Sequence, residues 1–255
     1  MADIKKFAQL LDEAASKPEE IKQLSDIEKY SLDDAYEIQK ALIARRLARG
    51  EVRNGMKMGF TSRAKIAQMG ISDMIWGRLT DKMVVEEGGA MDIKKYVHPR
   101  VEPEIAFLLR RRLEGLVTAA EAMDAVEAVA PAMEIIDSRY KDFKFTLEDV
   151  VADNASSSGF VVGPWQKADP DLSNLGMVLE INGRPVQIGS SGAILGHPIR
   201  SLVAAARLSS GAGEPLEEGW IVMAGGATAA EWLHAGDYVR NTVEALGSVA
   251  FSVKG

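Results

Sequence analysis

The chain has 255 residues, of which 47% are apolar and 26% charged, values typical of a folded globular protein rather than a disordered or fibrous one. Its net charge of −7 and the lack of a basic cluster exclude the usual electrostatic attraction to a phosphate backbone, so we expect no nucleic-acid partner. Cysteine is absent, which excludes disulfides, thiolate zinc sites and a cysteine nucleophile, and any metal must therefore be bound by oxygen or imidazole.

Residues 1–50 have the periodicity of helices. Apolar side chains recur at helical spacing at Phe7, Leu10, Leu11 and Ala14, and Ser31 is placed to cap a second helix. Acidic residues occur early in the chain, which is unlike the apolar or acid-free stretch of a secretory or transit peptide. No apolar run reaches the roughly 18 residues that would cross a bilayer. We therefore expect a cytoplasmic protein with no membrane partner.

The rest of the chain is richer in predicted strands. Short apolar segments predict strands at GMKMGF, EIAFLL, PAMEIID and GFVVGPW, and Thr118 begins a predicted helix, TAAEAMDAVEAVA, over residues 118–130. Asn182 and Gly183 predict a β-hairpin within GMVLEINGRPVQIG. A helix is predicted for IRSLVAAARLSS, followed by strands at GWIVMAG, DYVRNTVE and GSVAFSVK. The order of these segments indicates an α+β protein.

Two glutamates at the head of an apolar run need an explanation. In a strand, Glu102 and Glu104 share one face, and Pro103 would suit a solvent-exposed edge strand. The apolar residues that follow are instead typical of a strand covered on both faces, where paired carboxylates require a compensating cation. Glu134, in APAMEIID, has a similar setting and would pair with an arginine or bind metal. Three converging carboxylates would make an oxygen site for Mg²⁺ or Mn²⁺.

The ordered segments VEPEIAF, PAMEIIDSRY and VADNASSSGF resemble the metal-site framework of the fumarylacetoacetate hydrolase superfamily. The resemblance extends over nearly the whole chain, through KMGFTSRAK, WGRLTDKM, LGHP and AGGAT, and is strongest to the branch of hydratases and decarboxylases. SRYKDFKF and WIVMAGGAT are more similar to the decarboxylases. The resemblance implies an α+β fold with a β-rich core of mixed sheets in a roll or sandwich, N-terminal helices and a lid.

Position by position, the resemblance implies metal ligands and catalytic residues. Glu102, Glu104 and Glu134 match the family's ligands for Mg²⁺, with Mn²⁺ as the alternative. Lys57 matches an active-site lysine, and Asp153 matches a motif near the same cavity. We therefore predict that Lys57 and Asp153 are catalytic.

Binding of the substrate carboxylates is assigned to a turn and to basic residues. Gly226 and Thr228 of AGGAT are predicted to hold the carboxylate beside the metal, although a plain turn explains the motif equally well. The candidates for the distal carboxylate are Arg63, Arg78, Arg139 and Lys141. We predict that Arg78 and Lys141 bind substrate, with solvated surface charge as the alternative for each.

The resemblance implies decarboxylation of 2-oxohex-3-enedioate to 2-hydroxypenta-2,4-dienoate and CO₂ during meta-cleavage of aromatic compounds. The alternatives are 2-hydroxypenta-2,4-dienoate hydratase, a non-catalytic partner of that hydratase, and hydrolysis of a 1,3-diketone, for which His98 and His197 are not obviously placed. Enzymes of this branch associate, so we expect a homo-oligomer that also binds the hydratase. Because a conjugated dienolate must be shielded, residues 1–80 are predicted to form a helical and lid region over a catalytic core of residues 81–255.

Overall fold

The computed structural model describes residues 3–62 and 73–255. The α-helices within these ranges are α1 (Ile4–Ser16), α2 (Leu24–Ile27), α3 (Leu32–Ala48), α4 (Ala119–Asp124), α5 (Leu147–Ala152) and α6 (Pro198–Gly211). Ser31 caps α3 in a reciprocal capping box with Asp34, as the sequence predicts. Single 3₁₀ turns occupy Asp81–Met83, Ile93–Lys95, Lys141–Phe143, Asn154–Ser156 and Ser191–Ala193.

Thirteen strands lie within the same described ranges. They are β1 (Arg53–Gly59), β2 (Ile75–Thr80), β3 (Ala90–Asp92), β4 (Arg100–Leu109), β5 (Val126–Ile136), β6 (Ser157–Val162), β7 (Gln166–Lys167), β8 (Gly176–Ile181), β9 (Arg184–Ser190), β10 (Ile221–Met223), β11 (Glu231–Trp232), β12 (Tyr238–Val243) and β13 (Gly247–Lys254). The predicted hairpin joins β8 to β9, and both Asn182 and Gly183 have the positive φ that its turn requires.

The strands form two mixed sheets. The larger has the order β2-β1-β10-β4-β5-β6, with β11 also beside β4 and β7 beside β5, and the smaller has the order β3-β13-β12-β8-β9. Strand β4 is therefore an interior strand, paired antiparallel with both β10 and β5. This position removes the solvent-exposed edge as an explanation for the glutamates of β4.

Alternate residues of β4 face two different layers. Ile105 and Phe107 pack in the cluster that contains Leu202 of α6. On the opposite face, Ala106 packs in a cluster with Ile43 of α3. The even-numbered face of β4 is thus directed toward the N-terminal helical layer, and this arrangement decides where the polar residues of β4 can meet.

One predicted element differs from the structure. The helix begun by Thr118 ends at Asp124, and residues 126–130 belong to β5 instead. Alanine and glutamate favour a helix locally, but residues 126–130 pair with β4 and all of them except Glu127 are buried, so strand pairing prevails over local propensity. The helix predicted over residues 118–130 is therefore wrong in its second half.

The predicted α+β class, with mixed sheets and N-terminal helices, is confirmed. The division at residue 80 stays a prediction, and β1 and β2 on its N-terminal side contribute two strands to the larger sheet. Part of the predicted lid, with Arg63, falls on residues 63–72, outside the described residues. In the described ranges, none of the helices has the length and apolar character needed to cross a membrane.

Candidate active site

Three carboxylates meet on the even-numbered face of β4. Glu102 lies directly opposite Glu134 of β5 in the antiparallel register, and Glu104 follows two residues along the same face. Each of the three offers an oxygen within 4.8 Å of the others. Glu104 and Glu134 are completely buried, and Glu102 is half-buried. The structure therefore brings together the three residues predicted as metal ligands.

A lysine and a backbone amide hold two of these carboxylates. Lys57 on β1 is buried, and its Nζ donates a hydrogen bond to Oε2 of Glu134 at 3.0 Å. The amide of Gly225 donates to Oε2 of Glu104 at 2.8 Å. Within the described ranges, Lys57 and the Gly225 amide therefore orient one oxygen each of Glu134 and Glu104.

The remaining oxygens identify what the cluster lacks. Oε1 of Glu104 and Oε1 of Glu134 are buried and accept no hydrogen bond from any residue of the described ranges. Burial raises the pKa of Glu104, and the charges of Glu134 and Glu102 raise it further. Burial also raises the pKa of Glu134, against the opposing charge of Lys57. A divalent cation with oxygen ligands would coordinate both of these oxygens and offset the like charges that raise the pKa of Glu104, so the residues fit such an ion.

The AGGAT turn approaches the carboxylates closely. Gly225 has φ of +102°, and a side chain on it would overlap Thr61. A Cβ on Gly226 would overlap the carboxylate of Glu102. The Thr228 hydroxyl donates to the carbonyl of Ala229 at 3.0 Å. Gly226 therefore lies against the carboxylate of Glu102, whereas binding of substrate by Gly226 and Thr228 stays a prediction.

A cavity of about 320 Å³ adjoins the carboxylates. Its charged lining residues are Lys57, Arg100 and Glu102, and Ser156 adds a hydroxyl. Its walls are mostly apolar and include Phe60, Ile75, Ile136, Phe143, Phe145 and Val150. The sequence prediction did not include Arg100, although the two-residue alternation of a strand places it on the face of Glu102 and Glu104.

The predicted catalytic residue Asp153 lies in a buried ion pair. It accepts hydrogen bonds from the backbone N–H of Arg139 at 3.0 Å and from its Nε at 2.5 Å. Burial raises the pKa of Asp153 to about 6, although the charge of Arg139 opposes that shift. Both residues line a second cavity, of about 420 Å³. Asp153 precedes the 3₁₀ turn that carries Ser156, and a catalytic role for it stays a prediction.

The basic residues predicted to bind substrate lie elsewhere. Arg78 is buried, donates to both carboxylate oxygens of Glu214 at 2.6 and 2.9 Å, and donates to Gln39 at 2.7 Å. Lys141 is exposed, two residues before Phe143 of the cavity wall. Neither Arg78 nor Lys141 lines the cavity beside the carboxylates. Their substrate-binding roles stay predictions, and the function proposed below does not depend on them.

The family described as fumarylacetoacetate (FAA) hydrolase C-terminal matches residues 60–254. The chain belongs to the fumarylacetoacetate hydrolase family. The predicted superfamily is thereby confirmed, and the convergent glutamates lie within the matched region.

Relatives within the fumarylacetoacetate hydrolase family include both activities of the predicted branch. A 4-oxalocrotonate decarboxylase of a Pseudomonas species is 61% identical over 252 residues, covering 99% of this chain and 98% of the relative. A 2-hydroxypent-2,4-dienoate hydratase of Pseudomonas putida is 44% identical over 174 residues, covering 66% of this chain and 78% of the relative. The structure of 4-oxalocrotonate decarboxylase from Pseudomonas putida G7, complexed with magnesium and adipate, has a TM-score of 0.94 at 37% identity and covers 98% of this chain and 97% of its own.

Proposed function

We propose that this chain is a Mg²⁺-dependent carboxy-lyase that converts 2-oxohex-3-enedioate into 2-hydroxypenta-2,4-dienoate and CO₂ in the meta-cleavage of aromatic compounds. The observation that carries the proposal is the convergence of Glu102, Glu104 and Glu134 beside Lys57 at one cavity. Similarity to a decarboxylase at 61% identity over 99% of the chain supports decarboxylation over hydration.

Decarboxylation requires a group that accepts the electron pair of the broken carbon–carbon bond. The bond between C5 and C6 breaks, C6 leaves as CO₂, and the bonding pair moves through the conjugated C3=C4 and C2=O groups to the 2-oxo oxygen. That oxygen then takes up one proton to give the dienol. Stabilisation of charge that develops only as the bond breaks accelerates the step, because it favours the transition state over the ground state.

Glu102, Glu104 and Glu134 would hold the cation, which when bound supplies Lewis-acid charge to a substrate oxygen. Mg²⁺ is favoured because all three ligands are carboxylates and because the structure of a similar decarboxylase contains magnesium. Mn²⁺ accepts the same ligands and is the alternative.

Lys57 would donate a hydrogen bond, or its proton, to the 2-oxo oxygen as charge develops there. Its ammonium lines the cavity and is oriented by Glu134 at 3.0 Å, so it is held in place before the reaction begins. The apolar wall, with Phe60 and Phe145, excludes water that would protonate the dienolate at carbon. This chain's own residues thus orient the substrate, supply a proton and keep the site dry.

The assay is CO₂ release from 2-oxohex-3-enedioate by purified protein with Mg²⁺, and again after EDTA treatment. We expect Mg²⁺-dependent release with formation of the dienol. The same preparation given 2-hydroxypenta-2,4-dienoate tests hydration. Water addition without CO₂ release would contradict the proposal in favour of a hydratase, and failure to bind divalent metal would favour a non-catalytic role.

Hydrolysis of a 1,3-diketone receives no support from the histidines. The Nδ1 of His98 lies 2.9 Å from the carbonyl oxygen of Ser138, and its Nε2 pairs with Glu20. His197 caps α6 by accepting from the amide of Ile199. Neither histidine lines the cavity beside the carboxylates, so neither is positioned to activate water there.

We further propose that the chain forms a homo-oligomer and associates with 2-hydroxypenta-2,4-dienoate hydratase. The product of the proposed reaction is the substrate of such a hydratase, and the chain has a hydratase relative at 44% identity. Sedimentation of the chain alone and mixed with the hydratase tests both points. A monomer that sediments independently of the hydratase would contradict them.

A further inference from the structure

The substrate of the proposed function has a second carboxylate, and its binding requires a cation away from the metal. Among the described residues, the cationic side chains that line the cavity are Lys57 and Arg100. Lys57 is already paired with Glu134 at 3.0 Å. Arg100 is therefore the cation of this lining that remains for a second carboxylate.

The surroundings of Arg100 orient its guanidinium between two aromatic rings. The group lies 3.8 Å from the ring centroid of Trp232 and 4.1 Å from that of Phe143. Trp232 on β11 is the direct strand partner of Arg100, so the stacked position is built into the sheet. The Nε is buried and donates no hydrogen bond to any described residue, and Arg100 has no salt bridge within the described ranges. The Nε has therefore lost water without gaining an acceptor, which is costly unless a ligand supplies one, whereas the side chain as a whole is only partly buried.

The spacing along β4 suits a dicarboxylate. Arg100 is two residues before Glu102 on the same face, and at about 3.3 Å per residue its backbone lies roughly 6.6 Å farther along the strand, close to the span of an extended six-carbon chain. A substrate with one end at the three carboxylates would therefore place its other end near Arg100.

We infer that Arg100 binds the distal carboxylate of the substrate and selects dicarboxylic over monocarboxylic 2-oxo acids. The inference rests on the proposed function for the identity of the substrate. A planar guanidinium can donate two parallel hydrogen bonds to a carboxylate, and stacking on aromatic rings leaves those donors free at its edge. Once the carboxylate has left as neutral CO₂, this attraction is lost, which favours release of the gas.

Two analogues that differ only at the distal end test the inference. 2-Oxohexanedioate and 2-oxohexanoate share the 2-oxo acid group, and neither has the double bond that decarboxylation needs. Isothermal titration calorimetry with saturating Mg²⁺ should show the wild type binding the diacid about 10- to 100-fold more tightly, the range for hydrogen bonds between charged groups. Wild type that binds both equally would overturn the inference.

The variants Arg100→Met and Arg100→Lys separate charge from geometry. Arg100→Met should bind the two analogues equally, while Arg100→Lys should recover part of the preference because it restores the charge without the planar fork. Oxalate, which is too short to reach Arg100, should bind all forms alike and reports on folding and on the metal end. The control is Arg240→Met. Arg240 lies on β12 of the smaller sheet, is 46% exposed and pairs with Glu180, so this variant should keep the wild-type preference for the diacid.

The outcomes separate this inference from the proposed function. CO₂ release by the wild type, with an unchanged diacid preference in Arg100→Met, refutes the role of Arg100 and leaves the activity standing. An Arg100-dependent preference for the diacid without CO₂ release supports Arg100 and refutes the proposed reaction.

Discussion

Replacing Lys57 by methionine removes one buried charge and keeps a similar length and apolar bulk. The side chains of Lys57 and Glu134 are only 4% and 1% exposed, and their charged atoms are 3.0 Å apart. Removing one partner of such a pair costs about 3 to 5 kcal/mol, because the other charge is left buried. Since burial already raises the pKa of Glu134, its carboxyl can take up a proton in the variant, which limits the cost. We therefore expect the free energy of unfolding to fall by about 3 kcal/mol.

The loss of stability in Lys57→Met should depend on whether Mg²⁺ is bound. In EDTA, about 3 kcal/mol corresponds to a fall in Tm of roughly 6 to 12 °C for a chain of this size. With saturating Mg²⁺ the difference should narrow, because the cation compensates Glu134 in place of Lys57. Turnover should nevertheless fall by about 10² to 10⁴, the usual contribution of a general acid, or roughly 3 to 5 kcal/mol.

The measurements are Tm with EDTA and with Mg²⁺, titration of Mg²⁺ and oxalate, and single-turnover CO₂ release, all on one preparation. Lys82→Met is the control, since Lys82 is 68% exposed and only loosely paired with Asp81 at 3.4 Å. Turnover of Lys57→Met within a few-fold of the wild type would refute a role in proton transfer. Loss of Mg²⁺ binding would instead show that Lys57 shapes the metal site.

Three further changes test other parts of the structure. Glu104→Gln should lose Mg²⁺ affinity and CO₂ release together, and normal turnover would rule out Glu104 as a ligand. Gly226→Ala should weaken Mg²⁺ binding in calorimetry, because its methyl would overlap the carboxylate of Glu102. Burial opposes ionisation of Glu214, but hydrogen bonds and charge from Arg78 and Arg53 lower its pKa to about 2 from the usual 4.5. This ionisation contributes about 3 kcal/mol above pH 4.5 and is lost as the pH falls toward 2, so Glu214→Gln should cost about 2 to 3 kcal/mol in urea unfolding at pH 7 and less than half of that at pH 3.

The carboxylate cluster could be predicted because its geometry is local to two strands. Side chains alternate along a strand, so Glu102 and Glu104 share a face whatever the rest of the chain does. The register of β4 and β5 then places Glu134 opposite Glu102. The family resemblance supplied Glu134 as the third ligand, whereas neither segment alone specifies the register that places it opposite Glu102.

The partners of the arginines could not be predicted in this way. Arg78 is bound by Glu214, which is 136 residues away in the sequence, and the sequence shows the charge of each residue but not which opposite charge it meets. The helix predicted beyond Asp124 was wrong for a related reason. An Ala-rich segment favours a helix locally, and pairing with a distant strand overrides that preference.

The metal end of the cavity cannot by itself distinguish a decarboxylase from a hydratase of this branch. Both substrates have a carboxylate and an oxygen at C2, so a cation held by Glu102, Glu104 and Glu134 would accept either one. Only the substrate of the decarboxylase has a carboxylate at the far end, and binding that charge in an apolar cavity requires a fixed cation. Specificity must therefore arise at the opposite end from the metal, where Arg100 lies stacked on Trp232. This also explains why three glutamates conspicuous in the sequence indicate the metal and the family, whereas the choice of reaction depends on a residue with no motif of its own.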